Sequence, residues 1–98
     1  MAQPKAGACC GVRVVNLLGM HARAAAKFVH LATRYEARVK VARDRREMDG
    51  KSIMGILLLA AARGSTITIS ADGTDEDAAV AALVALVRSG FGEDACSA

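Results

Sequence analysis

Thr66-Ile67-Thr68-Ile69-Ser70 alternates polar and apolar side chains without a break. Successive side chains of an extended strand point to opposite faces, so Ile67 and Ile69 belong to a buried face and their neighbours to a wet one. Ala37, Val39 and Val41 alternate with Arg38 and Lys40 in the same way, and Val12 and Val14 flank Arg13 in a strand that ends near Asn16. Half-wet strands of this kind form an antiparallel sheet with one face in solvent, so any helices must cover the other.

Between the strands the period lengthens. Ala25, Phe28, Val29 and Ala32 form one apolar stripe of a helix expected from about Ala22 to Tyr35, with Arg23 and Lys27 facing outward and His30 at the surface. Asp44-Arg45 reads as a hairpin turn leading to a short strand at Glu47–Met48. Asp49-Gly50-Lys51-Ser52 then reads as a turn closed by an N-cap, Ser52, opening a helix through about Leu59. Arg63-Gly64 supplies the cation and the glycine expected to end it. Ala71-Asp72-Gly73 turns the chain, and Thr74 with Asp77 resembles a weak capping box. The last helix runs to about Ser89 on an inward stripe of Val80, Leu83, Val84 and Val87, with Gly90 as its stop.

The order is β-α-β-β-α-β-α. It predicts an α+β open-faced β-sandwich, a four-stranded antiparallel sheet covered on one face by three helices. Residues 1–10 and 95–98 read as tails around one domain spanning 11–94. The 98 residues suffice for one domain, and 53% hydrophobic content suffices for one core.

Composition excludes several functions. Aromatic residues are 3% with no Trp, a poor inventory for stacking on bases, although the net charge is +3. Cys9 and Cys10 are adjacent and Cys96 lies near the far end, without a CxxC or His/Cys ligand spacing; no metal is expected, and an odd count suits a reducing compartment. The longest apolar run, Ile53–Ala62, is interrupted by Gly55 and too short for a bilayer, and MAQPKAGACC lacks the apolar core of a signal peptide. No membrane insertion and a cytoplasmic location follow as expectations.

The chemistry concentrates in Asn16-Leu17-Leu18-Gly19-Met20-His21-Ala22-Arg23. It sets a histidine at a helix entrance with an arginine in the first turn. The first N–H groups of a helix lack internal acceptors and carry partial positive charge, so such an end holds phosphate. An imidazole there can take a phosphoryl group on a ring nitrogen. The N–H groups of Ala22 and Arg23, with the Arg23 guanidinium, would hold its oxygens, while Gly19 allows a tight turn beforehand. A histidine that merely caps the helix is the competing reading of these residues. In the second helix, Ile53, Met54 and Leu57 spread too widely to face inward together, so some of them should form a surface patch, and Met adapts to several partners. The stretch Leu57 to Ala62 is expected to be mostly core.

GMHARAAAKFV, followed by GKSIMGILLLAA and closed by RSGFGED, resembles the HPr family, the histidine-containing phosphocarriers of the bacterial phosphotransferase system. The likeness spans about Gly11 to Asp94. It implies the same open-faced sandwich and a carrier rather than an enzyme. By this resemblance His21 is the phosphoryl acceptor, modified on Nδ1 by enzyme I at the expense of phosphoenolpyruvate, and an enzyme IIA domain takes the group onward. Arg23 would steady the phosphate. Ser52 would be the regulatory serine, a target of HPr kinase/phosphorylase in bacteria that have one. Partner docking would fall to Met20, Ala24, Lys27, Ile53, Met54 and Leu57. No cofactor is implied, and the chain is expected to act as a monomer.

Many members of the family carry proline where Ala24 stands; alanine is a strong helix former and restores one N–H donor. GMHAR and SGFGED are also reminiscent of the nitrogen-related paralogue, a purely regulatory relay, whereas KSIMG is more like the sugar-branch carrier. Two other classes predict different features. A small nucleic-acid-binding domain would place aromatics on the sheet, and Phe28 and Phe91 both fall outside the expected strands. A ligand-binding regulatory module would need a polar pocket at a dimer edge, and no such residue set stands out.

Overall fold

A computed structural model describes residues 7–92. Its elements are β1 (Ala8–Arg13), α1 (Ala22–Ala32), β2 (Arg38–Arg43), β3 (Arg46–Asp49), α2 (Ile53–Leu59), β4 (Thr66–Asp72) and α3 (Glu76–Arg88). The strands form one sheet in the order β1-β4-β2-β3, every neighbouring pair antiparallel. Val12, Val39, Val41, Ile67, Ile69 and Ala71 bury one face of that sheet against Phe28, Ile56, Leu59, Leu83 and Val87 of the helices. The opposite face carries Arg38, Lys40 and Thr66 in solvent. The architecture expected from alternation alone is therefore the one observed.

Several boundaries differ from expectation, each for a tertiary reason. The stretch 1–10 is not all tail, because β1 begins at Ala8, and Ala8, Cys9 and Cys10 pair with Ala71, Ser70 and Ile69 of β4. Ala8-Cys9-Cys10-Gly11 has no β-branched residue, so its extended conformation comes from the partner strand rather than from local preference. The expected tail at 95–98 and Cys96 lie outside the described residues.

Helix α1 ends at Ala32, not Tyr35. The chain tightens there into three-residue turns, Arg34 donating to Leu31 at 3.1 Å and Tyr35 to Ala32 at 3.2 Å. The next two N–H groups are held from outside, Glu36 by Asp75 Oδ2 at 2.9 Å and Ala37 by Asp75 Oδ1 at 2.8 Å. Asp75 is the N-cap of α3 but makes no side-chain bond to its own helix, and the expected Thr74–Asp77 box does not form. Glu76 Oε1 instead accepts from Gly73 N at 3.0 Å. The Glu36 N–H bond, with help from that of Ala37, holds the Asp75 carboxyl below its usual value against an opposing cost of partial burial.

Helix α2 ends in Ala60, in the left-handed conformation with φ 51°, rather than at Arg63-Gly64. Its last carbonyls are taken by the β2–β3 hairpin: Arg43 donates to Leu59 and to Ala60 (3.1 Å), and Arg46 to Leu58 (3.1 Å). Two guanidinium groups thus do what a glycine cap and a terminal cation were expected to do. After α3, Gly90 and Phe91 both take positive φ, and Phe91 turns its ring wholly into the core.

Candidate functional site

Beyond β1 the chain stays anchored beside the start of β4, with Val14 donating to Ser65 and accepting from Gly64, each at 2.8 Å. Asn16, 4% exposed, then closes a tight turn. Its carbonyl accepts from Gly19 N at 3.1 Å, and its Nδ2 donates to Gly19 O at 2.7 Å. Gly19 has φ +67°, and a Cβ there would stand 2.6 Å from Ala61 O, so the position needs glycine on two counts. Met20 N donates to that same Ala61 carbonyl at 2.9 Å.

This anchored turn delivers His21 to the mouth of α1 as its N-cap, with φ −75° and ψ 179°. The His21 carbonyl accepts from Ala25 N at 2.8 Å, the first helical bond. Its Nδ1 accepts from Arg23 N at 3.2 Å. A nitrogen that accepts has its lone pair in use there, which in the neutral ring puts the proton on Nε2. The Nδ1 lone pair is therefore aimed at the amides that open the helix. No acidic side chain occupies the first turn, so nothing on the helix competes with an anion for them. Arg23 itself is exposed and forms no ion pair among the described residues.

Ser52 caps α2, its Oγ accepting from Gly55 N at 3.0 Å. Ile53 and Met54, the next two residues, are 42% and 66% exposed, and Leu57 is half-buried. Two residues expected to dock partners face the other way: Met20 is 5% exposed and Ala24 wholly buried, both packed in the core. Their neighbourhood in sequence to His21 does not reveal which way each side chain points. Ala24 can contribute at most its backbone. Lys27 is exposed, and its Nζ donates to Phe91 O at 2.7 Å, tying α1 to the turn after α3.

The sequence reading missed three exposed leucines: Leu58 in the stretch expected as core, and Leu17 and Leu18 on the turn before His21. Phe28 and Phe91 are wholly buried, and Tyr35, the third aromatic residue, is half-buried in the turn between α1 and β2, so no strand displays an aromatic side chain for base stacking. Among the described residues no helix is long and apolar enough to cross a membrane, and no cluster of three or more His, Cys, Asp or Glu could hold a metal.

The fold and the cap histidine together define a small open-faced sandwich that sets an imidazole at the mouth of a helix. Residues 10–89 match the family described as the PTS HPr component phosphorylation site. The phosphocarrier protein HPr of Cupriavidus necator is 50% identical over 80 residues, 82% of this chain and 90% of that one. A crystal structure of HPr from Thermoanaerobacter tengcongensis matches with a TM-score of 0.86 at 39% identity, covering 89% of this chain and 98% of that one. HPr from Bacillus anthracis matches with a TM-score of 0.82 at 41% identity, covering 85% and 99%. The chain belongs to the HPr family of the phosphotransferase system.

Proposed function

We propose that this protein carries a phosphoryl group on His21, receiving it from phospho-enzyme I and passing it to an enzyme IIA domain. The observation that carries the reading is the Nδ1 acceptor bond from Arg23 N at 3.2 Å, which aims the ring nitrogen into the helix mouth. In the transfer, the Nδ1 lone pair attacks phosphorus while the bond from phosphorus to the donor breaks and the donor atom keeps the electron pair. The Arg23 N–H then turns from Nδ1 to a phosphoryl oxygen, joined by the N–H of Ala22 and the Arg23 guanidinium. Ala24, where a proline would have none, offers a further N–H at the same end. The reverse displacement hands the group onward.

The chain is not an enzyme on this reading. It is consumed as phosphoacceptor and restored only when the next protein takes the group. Its donor and acceptor place it in the cytoplasm. Ile53, Met54 and Leu57, with Lys27 at the rim, would meet both partners. Ser52 is the regulatory position, phosphorylated where a kinase of the HPr kinase/phosphorylase type is present.

The test is intact-mass analysis after incubation with enzyme I, phosphoenolpyruvate and magnesium, for wild type and His21→Ala. One phosphoryl group on wild type, labile in acid and absent from the variant, is the expected result. No gain in mass with an active enzyme I would overturn the proposal.

A further inference from the structure

β1 and β3 are the two edges of the sheet. β3 is four residues long and carries Arg46, Glu47 and Asp49, the short, charged form that discourages further pairing. β1 is six residues long, and from Ala8 to Val12 it has neither charge nor proline. Val14 donates to Ser65 at 2.8 Å in the register that pairs Arg13 with Thr66. Residues bonded to the neighbour alternate along an antiparallel ladder, so Ala8, Cys10 and Val12 bond to β4. Cys9, Gly11 and Arg13 turn their backbone N–H and C=O outward, where no backbone group of the described residues takes them up. The Cys10 thiol leans toward the same edge, its Sγ 3.5 Å from Gly11 O.

α3 packs beneath β1 and β4, α2 beneath β2 and β3, and α1 lies between these two helices. Leu86 lines a groove with Lys27 and Leu31 of α1, so the flank of α3 half a turn away faces out below the β1 edge. Asp77, Ala81, Val84 and Arg88, at spacings of four, three and four, form that flank. Asp77 and Arg88 are exposed and make no ion pair among the described residues.

We propose that two copies of this chain pair through this surface, β1 antiparallel to β1 about Cys10 and α3 antiparallel to α3 beneath it. A two-fold axis at Cys10 matches the outward backbone groups of each copy to the other. Cys9 exchanges bonds with the partner's Gly11, Gly11 with the partner's Cys9, and Arg13 lies opposite the partner's Gly7, so no like charges meet. β4 ends at Asp72 and α3 starts at Glu76, so α3 runs back along β4 in the direction of β1. The axis that reverses β1 therefore reverses α3 as well, setting Asp77 against the partner's Arg88 and Arg88 against the partner's Asp77. One flank thus supplies both the acid and the base, the self-complementarity that an isologous interface requires, and this selects a second copy as the occupant. With α3 midway beneath strands about 4.8 Å apart, the two α3 axes fall about 10 Å apart, an ordinary spacing for packed helices. The pairing goes beyond the monomer expected from the sequence. It leaves the carrier role intact, because α3 stands between this surface and α1.

The experiment is sedimentation of the full chain in reducing buffer over a concentration series, with wild type, R88E and the double variant D77K/R88E. Wild type should show a dimer that grows with concentration. R88E sets like charges together at both ends of the paired helices and should weaken association about tenfold or more, while D77K/R88E should recover most of that loss. Both substitutions oppose the helix dipole, so the three proteins are compared well below their melting temperatures. The register is read separately with oxidised glutathione, which takes up two electrons as two thiols join in a disulfide. C9S/C96S keeps Cys10, whose two Cα atoms would stand about 4.5 Å apart, within bridging range, and should form a disulfide-linked dimer. C10S/C96S keeps Cys9, offset by two residues to about 8 Å, and should not. Three results would each overturn the inference: a wild type monomeric at every concentration, an R88E that associates as wild type does, or a Cys9-only chain that cross-links as readily as the Cys10-only chain.

Discussion

Met20 donates its backbone N–H to the carbonyl of Ala61 at 2.9 Å, and this one bond fastens the turn that carries His21 to the segment leaving α2. The two motifs are some thirty residues apart in sequence, and the fold brings their flanks into contact. The position of the imidazole is therefore not set by α1 alone. It depends on a left-handed glycine, a buried asparagine and a carbonyl from the segment that leaves α2.

Replacing Gly19 by alanine tests this dependence. The new Cβ would stand 2.6 Å from Ala61 O in a backbone at φ +67°, so either the turn shifts or the Ala61 segment does. A cost of about 1–3 kcal/mol in urea unfolding is expected. Phosphorylation by enzyme I should also slow, because the shift displaces His21. A variant with wild-type stability and rate would show that the turn is not held as described.

Arg23→Ala should separate chemistry from stability. The side chain is exposed and makes no ion pair among the described residues, so the unfolding free energy from urea titration should stay within about 0.5 kcal/mol of wild type. Loss of a charged donor to the transferring phosphoryl group should lower the transfer rate about tenfold or more. Rapid-quench phosphorylation measures the second quantity. Equal rates would remove Arg23 from the site and leave the backbone amides as its anion holders.

Ser52 has a structural duty independent of any modification, since its Oγ accepts from Gly55 N at 3.0 Å. Ser52→Ala should cost about 1 kcal/mol, whereas Ser52→Asp retains a capping oxygen and should unfold near the wild-type midpoint. The same Asp places a negative charge beside Ile53 and Met54. On the proposed docking role it should slow phosphorylation by enzyme I while Ser52→Ala does not. Equal rates for wild type and Ser52→Asp would count against a regulatory serine.

The strands were legible where alternation is strict. Thr66–Ser70 and Ala37–Val41 declare both their conformation and their buried faces, and the four-residue stripe of α1 declares its inward side. What could not be read is whatever a distant residue imposes. Ala8-Cys9-Cys10 is a strand because β4 pairs with it; α2 stops at Ala60 where Arg43 and Arg46 reach its carbonyls; α1 ends where Asp75 holds the following backbone. At the site, the cap histidine and Ser52 follow from local chemistry. The inward turn of Met20 and Ala24 and the outward turn of Leu17 and Leu18 depend on how the loop sits on Ala61, which no local pattern encodes.

Asp75 is the clearest case, and it predicts a pH dependence. Its carboxylate accepts from Glu36 N at 2.9 Å and Ala37 N at 2.8 Å, and the first of these bonds is the main reason its folded pKa lies below the ordinary 3.8. Above that value the group is charged both folded and unfolded, and its contribution to stability is complete. As pH falls below 3.8, the unfolded chain takes up the proton first, and the contribution is lost as pH passes through the folded pKa. Wild type should therefore melt well above Asp75→Ala at neutral pH, and the gap should narrow below about pH 4, where the other carboxylates titrate equally in both proteins. Asp75→Asn, with one carbonyl oxygen for two donors, should fall between them at neutral pH. A gap between wild type and Asp75→Ala that stays constant from pH 7 to pH 2.5 would mean that the charge of this carboxylate is not what joins α3 to the end of α1.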